Sequence, residues 1–178
     1  MIPNDTDSTA SRLCTACGMC CNGVMFEVVE LQPADSAKAL AALGLKVRPK
    51  RLQTYFAQPC AALRGTCCSI YDARPVRCRL FECQQLQRVA AGAITEEAAM
   101  ERIHEAQRRV QKVNALLEKT DATNPMKSLA QRTNTALDDL LALAPDPAAA
   151  QLHAALTLAT QSLSALLTEE FRNRPASH

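Results

Sequence analysis

The sequence predicts an α+β chain, with a small cysteine-rich domain followed by an antiparallel three-helix segment. Three observations carry this. All nine cysteines lie between Cys14 and Cys83, and the last 95 residues hold none. Charge divides at about the same place: residues 1–90 carry 11 Lys and Arg against 7 Asp and Glu, a net of +4, whereas residues 91–178 carry 9 against 11, a net of −2. Beyond residue 95 the apolar residues recur at the helical spacing of three and four. The expected organisation is a loose tail over residues 1–11, a cysteine-cluster domain over 12–90 and a helical segment over 91–178.

A chain of 178 residues, 48% hydrophobic, fits one ordinary domain or a small domain with an appended helical segment. That apolar fraction excludes a wholly disordered chain. Aromatics make up 3% with no Trp, so the core has to be built from Leu, Ala and Val. A net charge of +2 gives no reason to expect nucleic acid as a partner. No run approaches the roughly 20 apolar residues needed to span a bilayer, so no membrane segment is expected. The first twelve residues, MIPNDTDSTASR, lack the basic and apolar regions of a secretory signal. The expected location is therefore cytoplasmic, where thiols stay reduced. An odd cysteine count argues against a complete disulfide framework. Nine cysteines within 70 residues, in a reducing compartment, point to metal.

Along the chain, residues 14–23 read as a knuckle too rich in Cys and Gly for a regular element. Residues 24–31 (VMFEVVEL) are β-branched and short, a strand. Residues 33–43 suit a short helix closed by Gly44. The basic run over residues 46–51, with Arg48, Lys50 and Arg51, reads as a solvated loop. Residues 53–63 and 68–71 fit a hairpin turned at Arg64-Gly65-Thr66. Residues 74–83 read as a loop carrying the last two cysteines. Thr95, Glu96 and Glu97 start a helix with acids in its first turn. Its inward stripe is Ala99, Ile103, Ala106, Val110, Val113 and Leu117. Asn124-Pro125 starts a second helix with Met126, Leu129, Ala136, Leu140 and Leu143 inward. Asp146-Pro147 starts a third with Leu152, Leu156, Ala159, Leu163, Leu166 and Phe171 inward. A bundle face used by a protein partner, or for homodimerisation, is one expectation.

The N-terminal cluster reads Cys14-x2-Cys17-Gly18-x-Cys20-Cys21. A Cys-x2-Cys pair followed by Gly lets two thiolates converge on one ion. Three cysteines at successive x2 spacings also match the run that holds three corners of a [4Fe–4S] cluster. More distant ligands would come from Cys60, Cys67, Cys68, Cys78 or Cys83. Neighbouring side chains diverge, so Cys20 and Cys21 suggest either two sites or one ligand and one supporting thiol.

This arrangement resembles the CxxCxxCC family of zinc- or iron-chelating domains, typified by the bacterial YkgJ proteins. The resemblance rests on Cys14-Thr15-Ala16-Cys17-Gly18-Met19-Cys20-Cys21, on Cys60-Ala61-Ala62-Leu63 and on Cys68-Ser69-Ile70-Tyr71. The run Arg74-Pro75-x-x-Cys78-Arg79-x-Phe81-x-Cys83 completes it. It implies eight metal ligands, Cys14, Cys17, Cys20, Cys21, Cys60, Cys68, Cys78 and Cys83, and leaves Cys67 outside the pattern. It implies a metal-chelating module, often described as an iron–sulfur protein, and is similar to a portion of the bacterial flagellin lysine N-methylase. An accessory role in redox chemistry or protein modification follows only as an implication.

Eight thiolates suffice for two four-coordinate sites. Four thiolates on a divalent ion, or on a [4Fe–4S] cluster, leave two negative charges, which are costly to bury alone. Arg74, Arg77 and Arg79 sit among the last ligands, with Arg64 nearby, and are candidates to offset that charge or to bond sulfur and loop carbonyls. Arg74 pairing with Asp72 at the surface is the plainer alternative. Tyr71 and Phe81 are expected to cover the metal. Zinc would act as a staple, whereas an iron–sulfur cluster would permit electron transfer or ligation at an open iron. A non-catalytic zinc-stabilised interaction module, and metal storage or delivery, are the other readings. His104 is a solvated helix-face residue in this reading, and no phosphate loop, nucleophile elbow or kinase signature is present.

Overall fold

The computed structural model describes residues 8–50, 53–143 and 145–173. The fold is α+β. In chain order the elements are α1 (Thr9–Cys17), β1 (Val28–Glu30), α2 (Ala37–Ala42), β2 (Val47–Lys50), β3 (Gln53–Ala57), β4 (Leu63–Arg64) and β5 (Cys67–Cys68). There follow α3 (Val76–Leu80), α4 (Gln84–Ala90), α5 (Glu96–Leu117), α6 (Leu129–Ala142) and α7 (Pro147–Glu170). Among the described residues two compact units form. One takes the chain up to Cys17, Glu82–Asn124 and everything from Gln131 onward; the other takes Gly18–Phe81 and Pro125–Ala130. Neither is a single stretch of chain.

In the helical unit, α5 packs against both α1 and α7. Thr95 caps α5 by accepting the Ala98 N–H at 3.2 Å, and Asp146 caps α7 by accepting those of Ala148 and Ala149, both at 3.2 Å. The apolar stripes expected on α5 and α7 are buried or half-buried throughout. Helix α6 differs from expectation. It begins at Leu129 rather than at Asn124-Pro125, because the Leu129 N–H donates to the Gly23 carbonyl at 2.9 Å and draws residues 125–130 into the other unit. Met126 and Leu143, expected inward, fall outside the helix and are exposed.

In the helical unit two helices were not expected. The run over residues 9–17 was read partly as tail and partly as knuckle, yet it contains neither Gly nor Pro, and cysteine is a tolerable helix former. Ser8 Oγ accepts the Ser11 N–H at 3.1 Å, and Leu13 is buried. Arg12 grips Glu96 through two 2.7 Å hydrogen bonds, and Gln107 donates to the Ala16 carbonyl at 2.7 Å, so α1 runs beside α5 in the same direction. Residues 1–7 of the expected tail lie outside the described residues. The other unexpected helix, α4, is held at the end of α7: Gln85 and Arg88 both donate to the Glu170 carboxylate, at 3.1 and 2.8 Å.

The second unit holds a three-stranded antiparallel sheet of order β1-β3-β2 and the small β4–β5 hairpin. The basic run is not a loop as far as Lys50: Arg48 pairs with Tyr55 and Pro49 with Thr54 on the sheet edge, where a proline costs no ladder bond. Arg51 lies outside the described residues. The expected strand 24–31 shortens to β1, the wide hairpin contracts to β4–β5 turned at Gly65-Thr66, and the expected loop 74–83 contains α3. Helix α2 is capped by Ser36, which accepts the Ala39 N–H at 3.2 Å. Gly23 has no substitute: its φ is +81°, and a Cβ there would stand 3.1 Å from the Ser128 Cα. One core cluster of this unit is built on Leu40, Leu45, Phe56 and Ala62, and Met19, Met25 and Leu129 are buried in the same unit.

Leu156 is fully buried on α7 whereas Leu158 is 67% exposed. Leu156→Ala is expected to cost about 3 kcal/mol in thermal unfolding, and Leu158→Ala less than about 0.5 kcal/mol. Arg12 holds the Glu96 carboxyl below the ordinary carboxylate range, chiefly by hydrogen bonding. A carboxyl lowered on folding stabilises above its unfolded value and loses that contribution as pH falls through its folded one. Arg12→Ala should therefore lower stability near neutral pH and flatten the acid limb of a stability–pH curve, leaving the lowest pH unchanged.

Candidate metal centre

Four thiols gather in the Gly18–Phe81 unit, each from a separate segment. Cys21 follows the turn after α1, Cys60 lies in the β3–β4 loop, Cys68 on β5 and Cys78 on α3. Cys78 feels the charges of Cys21, Cys60 and Cys68, and Cys60 that of Cys68. Cys60, Cys68 and Cys78 also pack against the Leu40–Leu45–Phe56–Ala62 core.

Local structure explains each placement. Gly18 turns the chain at φ +65°, and its carbonyl accepts the N–H groups of Cys21 and Asn22 at 3.0 and 3.1 Å. A Cβ on Gly18 would stand 3.2 Å from Thr66 Cγ2, so the glycine lets the β4–β5 tip approach. The Cys60 N–H donates to the Cys21 carbonyl at 2.8 Å, which ties the first two segments together. Leu63 donates to the Cys60 carbonyl at 3.0 Å, closing a tight turn in which the Ala62 and Leu63 amides also reach the Cys60 sulfur. On β5, successive side chains point to opposite faces, so Cys68 turns to the core and Cys67 is exposed. The five-residue α3 is fixed by Asp35, whose two oxygens accept the Val76 N–H at 2.8 Å and the Gln32 N–H at 2.7 Å.

Burial pushes the Cys78 thiol up to about 12, with Cys21, Cys60 and Cys68 adding to the rise and Arg74 opposing it. Cys60 is also raised, first by burial, against the pull of the Ala62 and Leu63 amides and of Arg64. Buried neighbouring thiols resist ionisation because their charges repel in a poor solvent. A cation reverses the balance, and amides aimed at sulfur are the partners that a metal-bound thiolate uses. The donor set therefore fits a thiophilic metal or a cluster. Among the described residues no three His, Cys, Asp or Glu side chains stand as a finished ligand set.

The arginines divide their work. Arg74 stacks 3.6 Å over the Tyr71 ring and donates to the Tyr71 carbonyl at 2.9 Å, while its charge acts on Cys78. Arg64 donates to the Ala61 and Leu63 carbonyls, both at 2.8 Å. Arg77 pairs with Glu30 at 3.4 Å, and Arg79 is exposed. Tyr71 does not cover the thiols as expected: it is exposed and serves as the platform for Arg74. Phe81 meets Phe26 edge-on at 5.1 Å.

Adjacent Cys20 and Cys21 take different environments. The Cys20 thiol donates to Met25 Sδ at 3.9 Å. Cys14 and Cys17, three residues apart on α1, share a helix face, and Cys83 immediately precedes α4 without a side-chain capping bond; these three belong to the helical unit. Asp35 and Met25 escaped the sequence reading. Asp35 looks like an ordinary residue before a helix cap, and its bond to α3 spans 41 residues.

A half-buried set of thiols from four segments, with amides on the Cys60 sulfur, marks a thiolate metal-chelating module. Residues 13–101, half the chain, match the model of the family described as "CxxCxxCC: Putative zinc- or iron-chelating domain", and the chain belongs to that family. No curated protein and no solved structure matches it. No helix among the described residues is long and apolar enough to cross a membrane.

Asp35→Ala frees two backbone donors and loosens α3. It should cost about 1–3 kcal/mol and speed loss of metal to a chelator, while Asp35→Asn retains part of both. Unchanged chelator kinetics in Asp35→Ala would mean that α3 is held by packing alone.

Proposed function

We propose that Cys21, Cys60, Cys68 and Cys78 hold one metal ion or cluster, and that its first task is to keep the Gly18–Phe81 unit folded. The observation that carries this is the convergence of four half-buried thiols from four segments, three of them packed on the Leu40–Leu45–Phe56–Ala62 cluster. Zinc and a [4Fe–4S] cluster both accept four thiolates and leave the same residual charge. Zinc would supply only a staple, whereas the cluster would also supply one-electron chemistry. Arg74, beside Cys78, offsets part of that charge in either case.

The chain's own residues do the holding. Asp35 aims α3, Gly18 admits the β4–β5 tip, and the Ala62 and Leu63 amides support the Cys60 sulfur. Of the remaining family positions, Cys14, Cys17 and Cys83 lie in the helical unit and Cys20 in the Gly18–Phe81 unit. Thiol ligation of this sort suits a reducing compartment such as the cytoplasm.

The test is metal and acid-labile sulfide content, with a visible spectrum, on protein purified without oxygen. Iron with matching sulfide and absorbance near about 400 nm assigns the cluster; zinc without sulfide assigns the staple. Cys78→Ser should lower bound metal and the stability of its unit, since structural metal affinity is folding free energy. Cys67→Ser should leave metal content intact. Full metal in Cys78→Ser, or loss of it in Cys67→Ser, contradicts the ligand set.

A further inference from the structure

We propose that Ser128 and Leu129 are positioning residues of the metal centre: they seat the first turn of α6 on the two loops that carry Cys21 and Cys60, so that metal binding and this seat strengthen one another. The inference rests on the four-thiol reading. It concerns residues beyond the 13–101 stretch that matches the family, and well past Cys83, the last cysteine. Within the run 123–130 only Ser128 and Leu129 are buried, at 0% and 5% exposure, and their neighbours on both sides are exposed. The segment is anchored at two residues rather than packed along its length.

The anchor meets both ligand loops. The Leu129 N–H donates to the Gly23 carbonyl at 2.9 Å. A Cβ on Gly23 would stand 3.1 Å from the Ser128 Cα and 3.3 Å from both the nitrogen and Cδ of Pro59, so three chain segments meet there with no room for a side chain. Gly23 lies two residues after Cys21, and Pro59 immediately precedes Cys60. Such close packing transmits small shifts. An ion that draws the Cys21 and Cys60 sulfurs together fixes Gly23 and Pro59, and with them the surface that receives Ser128 and Leu129. Without the ion the sulfurs are not tied, and the loops part at less cost. Coupling of this kind is reciprocal: a seat tightened by metal tightens metal by the same factor, commonly about fivefold to 150-fold. Helix α6 runs on from Ala130 as part of the helical unit, so its first turn reports whether metal is bound.

The test uses the full chain, stripped of metal and kept reduced, with zinc(II) added against a competing chelator. Hydrogen exchange is followed at the Leu129 amide and, for comparison, at the buried Val113 on α5 and Leu163 on α7. Zinc(II) should slow exchange at Leu129 at least about fivefold and leave Val113 and Leu163 unchanged. In the reverse direction, Ser128→Leu overfills a fully buried position and should weaken zinc(II) by a similar factor. Leu156→Ala, which destabilises the helical unit elsewhere, should leave zinc(II) affinity as it was. The exchange comparison needs no variant, so it stands even where Ser128→Leu does not fold. A Leu129 amide indifferent to zinc(II) would overturn the proposal, as would equal slowing at all three amides or an unchanged zinc(II) affinity in a folded Ser128→Leu. Failure of the four-thiol reading shows separately, as zinc(II) uptake that Cys78→Ser leaves untouched, and the coupling would fall with it.

Discussion

The Gly18–Phe81 unit depends on one constraint: sulfur from four separate segments must be brought together in a place with little else to hold it. Its core offers Leu40, Leu45 and Phe56 as large side chains. Burying each contributes about 1.5–3 kcal/mol, against about 1–2 kcal/mol of backbone entropy for every residue ordered. A structural zinc–thiolate site contributes about 10–16 kcal/mol, so a zinc held as proposed would add at least as much as these three side chains. The two sheets, with strands of two to five residues, serve less as a scaffold than as a means of presenting loops.

The hydrogen bonds around the thiols fit that division. The Cys60 amide reaches back to the Cys21 carbonyl, and Asp35 fixes α3 from 41 residues away. These contacts bring the segments close without closing them. The electrostatics then oppose closure by the thiols alone, since each neighbour raises Cys78 further. On the proposed ligand set, metal uptake and folding would be linked by the same sulfur atoms. The helical unit follows the opposite logic: capped helices α5 and α7 bury continuous stripes of Leu, Ala and Val, and packing alone suffices.

Much of this was legible in the residues themselves. The apolar stripes of α5 and α7 lie where periodicity puts them, because long helices average out local exceptions. The cysteine motifs identified the family, since order and residue type together are specific. What escaped was decided by distant partners. Helix α1 looked like a knuckle because Cys and Gly were counted together, although both glycines of that run, Gly18 and Gly23, come after its end. Helix α6 starts late because Leu129 bonds Gly23, more than a hundred residues earlier. Arg74, Arg77 and Arg79 looked equivalent in the motif, yet one acts on Cys78, one pairs with Glu30 and one is exposed. Spacing showed that Cys20 and Cys21 diverge; only the coordinates show that Cys21 joins the other three thiols while Cys20 meets a thioether.

The most direct test is X-ray absorption at the edge of whichever metal the purified chain carries, with Cys14, Cys17, Cys20 and Cys83 together replaced by serine. The account predicts a metal that remains bound with a sulfur-only ligand shell at about 2.3 Å, supplied by Cys21, Cys60, Cys68 and Cys78. A shell containing nitrogen or oxygen, or a protein that no longer retains metal, would contradict it.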